Sequence, residues 1–321
     1  MIEALSLTKK YGQLTAVDAL SFSVEPGVVT GFLGPNGAGK STTMRMILGL
    51  DRPTSGKVTI GGRLYGELDN PLHTIGALLD ADWVHPNRSA RNHLAAMAAL
   101  AGLPDARVDE VLDRVGLSAV ANKRAGTFSL GMSQRLGIAG ALLGDPDVLM
   151  FDEPVNGLDP EGIVWIRTLM QGLARDGRTV LVSSHLLSEM AVTAEHLIVI
   201  GRGALIADCS TQEFLDQAVT AGVVLRSPDS ARVLPELRAA GLGVQSEGAD
   251  SFLITGDGVS TDRVGYLAAG VGAVISELSL RRASLEEAFM ELTADSVQYS
   301  ASGTPIRRTP DSELALAAAG K

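Results

Sequence analysis

Gly34-Pro35-Asn36-Gly37-Ala38-Gly39-Lys40-Ser41-Thr42 is the stretch on which the reading of this chain turns. It fits the phosphate-loop pattern of glycine, four residues, then Gly-Lys-Ser/Thr. Glycines let successive backbone N–H groups turn inward around phosphate oxygens. Lys40 brings a point charge to the β and γ phosphates, and the Ser41 hydroxyl suits Mg²⁺. A helix starting there points its positive end at the anion. The flanks agree: Val28–Leu33 reads as a buried strand that ends in glycines, and Ser41–Leu50 reads as the helix that follows.

On either side, short apolar runs alternate with helical patterns. Val148–Phe151, Val180–Val182 and Leu197–Ile200 are further strand candidates. Arg91–Ala101, Arg107–Val115 and Gly162–Ala174 carry helical periodicity. The alternation predicts an α/β fold, its mainly parallel sheet covered on both faces. A length of 321 residues with 45% hydrophobic side chains suits one large domain plus a smaller one. The formal charge of −10 argues against a nucleic-acid partner. Cys209 is the single cysteine, which excludes an internal disulfide framework and a cysteine-built zinc site. No run reaches the roughly 20 apolar residues of a membrane span, and Met1–Tyr11 lacks an apolar signal core, so a cytoplasmic chain is expected.

A second chemical signal is Val148-Leu-Met-Phe-Asp152-Glu153-Pro154. Four apolar residues make a buried strand, and two acids stand at its end. Asp152 is placed to serve the Mg²⁺ shell. Glu153 is placed to polarise an attacking water. Just upstream lies Phe128-Ser129-Leu130-Gly131-Met132-Ser133-Gln134-Arg135. This segment resembles a variant of the Leu-Ser-Gly-Gly-Gln signature of ATP-binding cassette (ABC) transporter ATPases. Ser129 and Gly131 stand where that motif has its Ser and second Gly, while Phe128, Leu130 and Met132 depart from it.

The resemblance covers Met1 to about Ala218. It implies a P-loop ATPase domain with a helical subdomain, binding ATP and Mg²⁺. It also implies roles for single residues. Tyr11 matches the aromatic that stacks on adenine, and His185 in Ser183-Ser-His185 matches the switch histidine that contacts the γ-phosphate. Asn156-Gly-Leu-Asp159 lies where the family has its D-loop. Asp80 stands where a glutamine is usual; a carboxylate there can ligate Mg²⁺ but only accepts hydrogen bonds. Lys40 with residues 34–42 would bind the phosphates, Ser41 and Asp152 would serve Mg²⁺, and Ser129 and Gly131 would reach the ATP of a neighbour.

With one copy of each motif, the resemblance implies a homodimer of ATPase domains, or pairing with a second ATPase subunit. It also implies a transmembrane permease subunit at the cytoplasmic side of the membrane, contacted by Asp82–Leu94, where Arg88 and Arg91 could face acids. The function implied is export of a small molecule: a drug, antibiotic or lipid-like compound. The alternatives are a soluble ABC ATPase acting in nucleic-acid or translation-related processes, and a regulatory ATP-binding module with reduced turnover.

Beyond the cassette, residues 222–295 read as βαββαβ and resemble a ferredoxin-like α+β unit. Its strands are expected at Val223–Arg226, around Val244, at Phe252–Thr255 and at Val274–Leu280, its helices at Ala231–Ala240 and Arg263–Ala269. A last helix follows Ser284, with Glu287 completing a capping box. The ending Ser284–Thr293 is similar to the end of the extended ATPases of export systems. Residues 296–321 read as a mobile tail.

Overall fold

The computed structural model describes residues 1–80, 84–216, 222–281 and 284–293. The tail read from residue 296 onward and Asp82 lie outside them. The central sheet runs β5 (Ile75–Leu78), β6 (Val148–Asp152), β7 (Thr179–Ser184), β3 (Val29–Leu33), β8 (His196–Gly201) and β9 (Ala204–Ser210). The first five strands are parallel, and β9 returns antiparallel on β8. Every residue of β3 and β7 is buried, as expected for strands covered on both faces.

One face carries α3 (Ala90–Leu100), α4 (Asp105–Arg114), α5 (Leu130–Leu142), α6 (Pro160–Arg175), α7 (Leu187–Thr193) and α8 (Thr211–Asp216). The other face holds α1 (Lys40–Ile47) and a separate antiparallel sheet, β2 (Leu14–Val24), β1 (Ile2–Tyr11) and β4 (Ser55–Ile60). A short α2 (Pro71–Thr74) leads into β5. That second sheet is not foreseen from the sequence. Its strands carry bulges, with Ser6 and Ala19 both at φ +46°, so the buried positions slip out of alternation and Leu7 and Thr8 are buried in succession.

The expected helix 41–50 stops at Ile47, because Gly49 turns the chain at φ +64°. The expected strand 274–280 starts only at residue 277. Asp229 Oδ2 accepts from the Val274 amide and Ser227 Oγ donates to the Val274 carbonyl, so that segment is bound as a loop.

The C-terminal region forms β10 (Gly222–Arg226), α9 (Ser230–Ala239), β11 (Gly243–Ser246), β12 (Ser251–Thr255), α10 (Thr261–Gly270) and β13 (Glu277–Arg281). Its four strands order as β11-β12-β10-β13, all antiparallel, over their own core. The last helix, α11 (Leu285–Thr293), packs elsewhere. Its Leu285, Ala288 and Phe289 join the core of the large domain.

Candidate active site

The phosphate loop joins β3 to α1 at the carboxyl end of the parallel strands, where α/β sheets collect their ligands. Gly39 caps α1 at φ +103°, and a Cβ there would sit 2.5 Å from the Ala16 carbonyl oxygen. Only glycine meets both demands. A cavity of about 350 Å³ opens beside the loop, lined by Tyr11, Leu14, Ala16, residues 36–42, Asp152 and Glu153. Lys40 is buried, and its ammonium donates to the carbonyls of Gly34 at 2.5 Å and Pro35 at 3.3 Å. Burial pushes its pKa below the usual lysine value, against the pull of Glu153 and Asp152.

At the end of β6 the two acids part company. Asp152 accepts from Ser41 Oγ at 2.9 Å through Oδ2 and from Ser183 Oγ through Oδ1. Glu153 adopts φ +51°, a left-handed conformation that costs a non-glycine residue about 1–3 kcal/mol. Contacts with three residues, Ser183, Gln134 and His185, hold it there. Its amide donates to Ser183 Oγ at 3.1 Å and to the Ser183 carbonyl at 3.2 Å. The Gln134 side chain donates to its carbonyl at 3.1 Å. His185 Nδ1 lies 2.6 Å from Glu153 Oε2, which also accepts from the His185 amide at 3.3 Å.

Oxygen donors suit a hard divalent cation, and Ser41 and Asp152 already converge on one point. Among the described residues no three His, Cys, Asp or Glu side chains cluster as a metal cage. One carboxylate and one hydroxyl would leave the rest of such an ion's shell to phosphate and water. A divalent cation held there would supply positive charge toward bound phosphate.

Of the other expected site residues, Ser129 and Gly131 do not line this cavity, whereas Tyr11 does. Ser129 is the exposed N-cap of α5, its Oγ accepting from the Met132 amide at 3.3 Å. Gly131 packs against the segment that ends in Asp159; a Cβ there would lie 3.0 Å from the Gly157 carbonyl. Asp159 caps α6, accepting from the Gly162 amide at 2.8 Å. Asp80 is exposed two residues beyond Leu78, which pairs with Phe151, so it stands at the same sheet end as Asp152. Tyr11 lines the cavity, its hydroxyl donating to Asp51 Oδ2 at 3.2 Å and Lys9 Nζ lying 4.9 Å from its ring centroid. Arg91 does not wait for a partner: it forms a two-pronged pair with Asp109 at 3.0 and 3.1 Å, tying α3 to α4.

The comparisons with known proteins agree with this arrangement. The family profile of the ABC transporter matches residues 17–156. The bacitracin transport ATP-binding protein of Bacillus licheniformis is 44% identical over 211 residues, 65% of this chain and 69% of that protein. The chain belongs to the ABC transporter family. It is one of the family's ATPases. Similarity extends to the lantibiotic transport ATP-binding protein of Streptococcus pyogenes, 36% identical over 208 residues, 65% of this chain and 90% of that one. It runs along most of the chain in the Nod factor export ATP-binding protein I of Burkholderia orbicola, 31% identical over 305 residues, 92% of this chain and 98% of that protein. Among solved structures, an ATP-binding subunit of an ABC transporter superposes with a TM-score of 0.62 at 25% identity, covering 68% of this chain and 92% of that one. A dimeric cassette in a post-hydrolysis state with ADP and Pi gives 0.60 at 25% identity, covering 66% and 99%. A domain family of unknown function matches residues 221–286 of this ABC ATPase.

Two residues of the ABC ATPase site escape sequence reasoning. Gln134, 4% exposed, lies within the quoted signature segment but has no role assigned from sequence; its contact with Glu153 exists only once α5 packs beside β6. Ser183, fully buried, bridges the two acids. Its place two residues before His185 was the only local signal.

Proposed function

We propose that this chain is the ATP-hydrolysing subunit of an exporter, moving an antibiotic or a comparable drug or lipid-like molecule through a separate transmembrane subunit. Two of its cassettes, or one with a second ATPase subunit, would close head to tail on two ATP molecules at the cytoplasmic face of the membrane. The observation that carries the reading is the Asp152–Glu153–His185 cluster beside the phosphate loop. The relatives named for bacitracin and lantibiotic transport support the substrate class. None of the relatives cited above is named for translation or DNA repair, and the charge of −10 also speaks against a nucleic-acid role. Among the described residues no helix is long and apolar enough to cross a membrane, consistent with a path supplied by another chain.

In this mechanism Lys40 and the loop amides hold the β and γ phosphates, and Ser41 and Asp152 hold Mg²⁺. Tyr11 stacks on adenine. Glu153 takes a proton from water as the water oxygen attacks the γ-phosphorus and the bond to ADP breaks. His185 keeps the carboxylate aimed. With its Nδ1 proton given to Glu153, its Nε2 can donate to a phosphate oxygen only as the imidazolium. Ser129 and Gly131, at the start of α5, act on the partner's ATP through the helix N-terminus. Asp80 contributes from the neighbouring strand end, as a ligand toward Mg²⁺. The cassette spans residues 1–218, and residues 222–295 add an accessory unit with a ferredoxin-like strand order.

Co-purification with any polytopic membrane protein encoded beside it, followed by ATPase assays with peptide antibiotics, tests the proposal. Substrate-stimulated turnover of the reconstituted pair is expected. Turnover unchanged by any membrane neighbour would overturn it.

A further inference from the structure

Helix α7 begins two residues after His185. It is braced on three sides. Arg167 of α6 donates to Glu189 Oε2 at 2.5 Å. Thr211 at the start of α8 donates to the Ala194 carbonyl at the end of α7, at 2.6 Å. The third side is met by α11, which packs against α7 and α8. The stripe it presents is Leu285, Ala288 and Phe289, spaced i, i+3, i+4 and all buried in the core that includes Met190 and Phe214.

Helix α11 is also tied to the C-terminal sheet. The capping box is formed: Ser284 Oγ accepts from the Glu287 amide at 3.1 Å, and Glu287 Oε2 accepts from the Ser284 amide at 2.8 Å. The second oxygen of Glu287 accepts from Arg281 at 2.9 Å, at the end of β13, and Arg281 also pairs with Glu247 beyond β11. A continuous line of contacts therefore runs from the C-terminal sheet through Arg281, Glu287, α11 and α7 to His185 and Glu153. The ABC core does not need this addition, because the matched 208 residues make up 90% of the lantibiotic relative.

We propose that α11 is a positioning helix for ATP hydrolysis: Leu285, Ala288 and Phe289 steady α7, and so set how firmly His185 is held against Glu153. The C-terminal sheet then tunes turnover through Arg281. This rests on the roles proposed above for His185 and Glu153. Packed side chains and ion pairs between rigid elements are the physical route for such coupling.

The test uses the full chain with Phe289→Ala, Phe289→Leu, Arg281→Gln and His185→Ala. Steady-state ATPase activity and amide hydrogen exchange are measured on each. Phe289→Ala is expected to lower kcat by about fivefold to twentyfold with KM for ATP nearly unchanged, and Phe289→Leu to restore most of it. Arg281→Gln, which leaves no core cavity, is expected to lower kcat in the same direction by a smaller factor. Exchange in residues 186–193 should speed up in Phe289→Ala while α1 stays protected. The proposal is overturned if Phe289→Ala keeps kcat within roughly twofold of the parent with α7 equally protected. It is equally overturned if protection falls alike in α7 and α1, since that is general destabilisation. His185→Ala separates the two readings. An inactive His185→Ala beside a normal Phe289→Ala sinks only the role of α11. A fully active His185→Ala sinks the reading of the site itself.

Discussion

Replacing Gln134 with leucine removes one hydrogen bond and keeps nearly the same volume. The side chain is 4% exposed, and its amide donates to the Glu153 carbonyl at 3.1 Å. The Glu153 carbonyl still accepts from the Asn156 amide at 3.2 Å, so the loss is that of one hydrogen bond, about 0.5–1.5 kcal/mol. Here the bond also helps to hold Glu153 at φ +51°, a conformation with its own cost. We expect a loss of about 0.5–1.5 kcal/mol, which lowers Tm by roughly 2–4 °C per kcal/mol in a domain of this size. Glu153 would also relax toward an ordinary backbone conformation and carry its carboxylate away from the γ-phosphate. A displacement of that order costs turnover up to about a hundredfold, so kcat should fall at least tenfold with KM for ATP little changed. Thermal melting and steady-state ATPase assays read the two effects. In a Glu153→Gln background the substitution should still lower Tm but leave turnover no lower than the single variant. Gln134→Leu melting with the parent and turning over at its rate would refute the reasoning.

Gly76→Ala tests how tightly β5 meets α5: a Cβ there would lie 1.8 Å from the Ala141 carbonyl oxygen, which is backbone and cannot swing aside. The variant should lose about 3 kcal/mol or more, read as a drop in the chemical-denaturation midpoint, and a parent-like midpoint would count against the packing described. Lys40 gives a pH prediction. Burial lowers its pKa below 10.5, so the unfolded chain binds this proton more tightly, and its stability contribution rises with pH through the window between the two values. ATP affinity should move the opposite way, falling as pH rises through the lowered value, and calorimetric titration from neutrality upward checks it. Affinity that holds unchanged to pH 10.5 would contradict a buried, phosphate-binding ammonium.

Much of the fold was legible in the chain because parallel strands buried on both faces are written as unbroken apolar runs. Val148–Phe151 and Val180–Val182 are such runs, and both fall inside the central sheet. The β1–β2–β4 sheet was not legible, because bulges at Ser6 and Ala19 break the period on which a half-buried strand is recognised. At the site, the phosphate loop and the acids announced themselves through local sequence. Gln134 and Ser183 did not. Gln134 acts across 19 residues of chain and Ser183 across 30, distances that no local pattern spans. The capping box of α11 was readable at Ser284 and Glu287, but an apolar stripe does not say which core it will join. Only the folded chain puts Phe289 against the cassette rather than the C-terminal sheet.

The central claim is that Glu153, held by His185 and Gln134, accepts the proton from the attacking water. The most direct measurement is turnover and nucleotide occupancy of purified Glu153→Gln with MgATP. The amide keeps the shape and the contacts of the side chain but cannot take the proton. Hydrolysis is expected to be abolished while ATP stays bound and holds two chains together as a dimer. ATP hydrolysis by Glu153→Gln at the rate of the unmodified chain would contradict it.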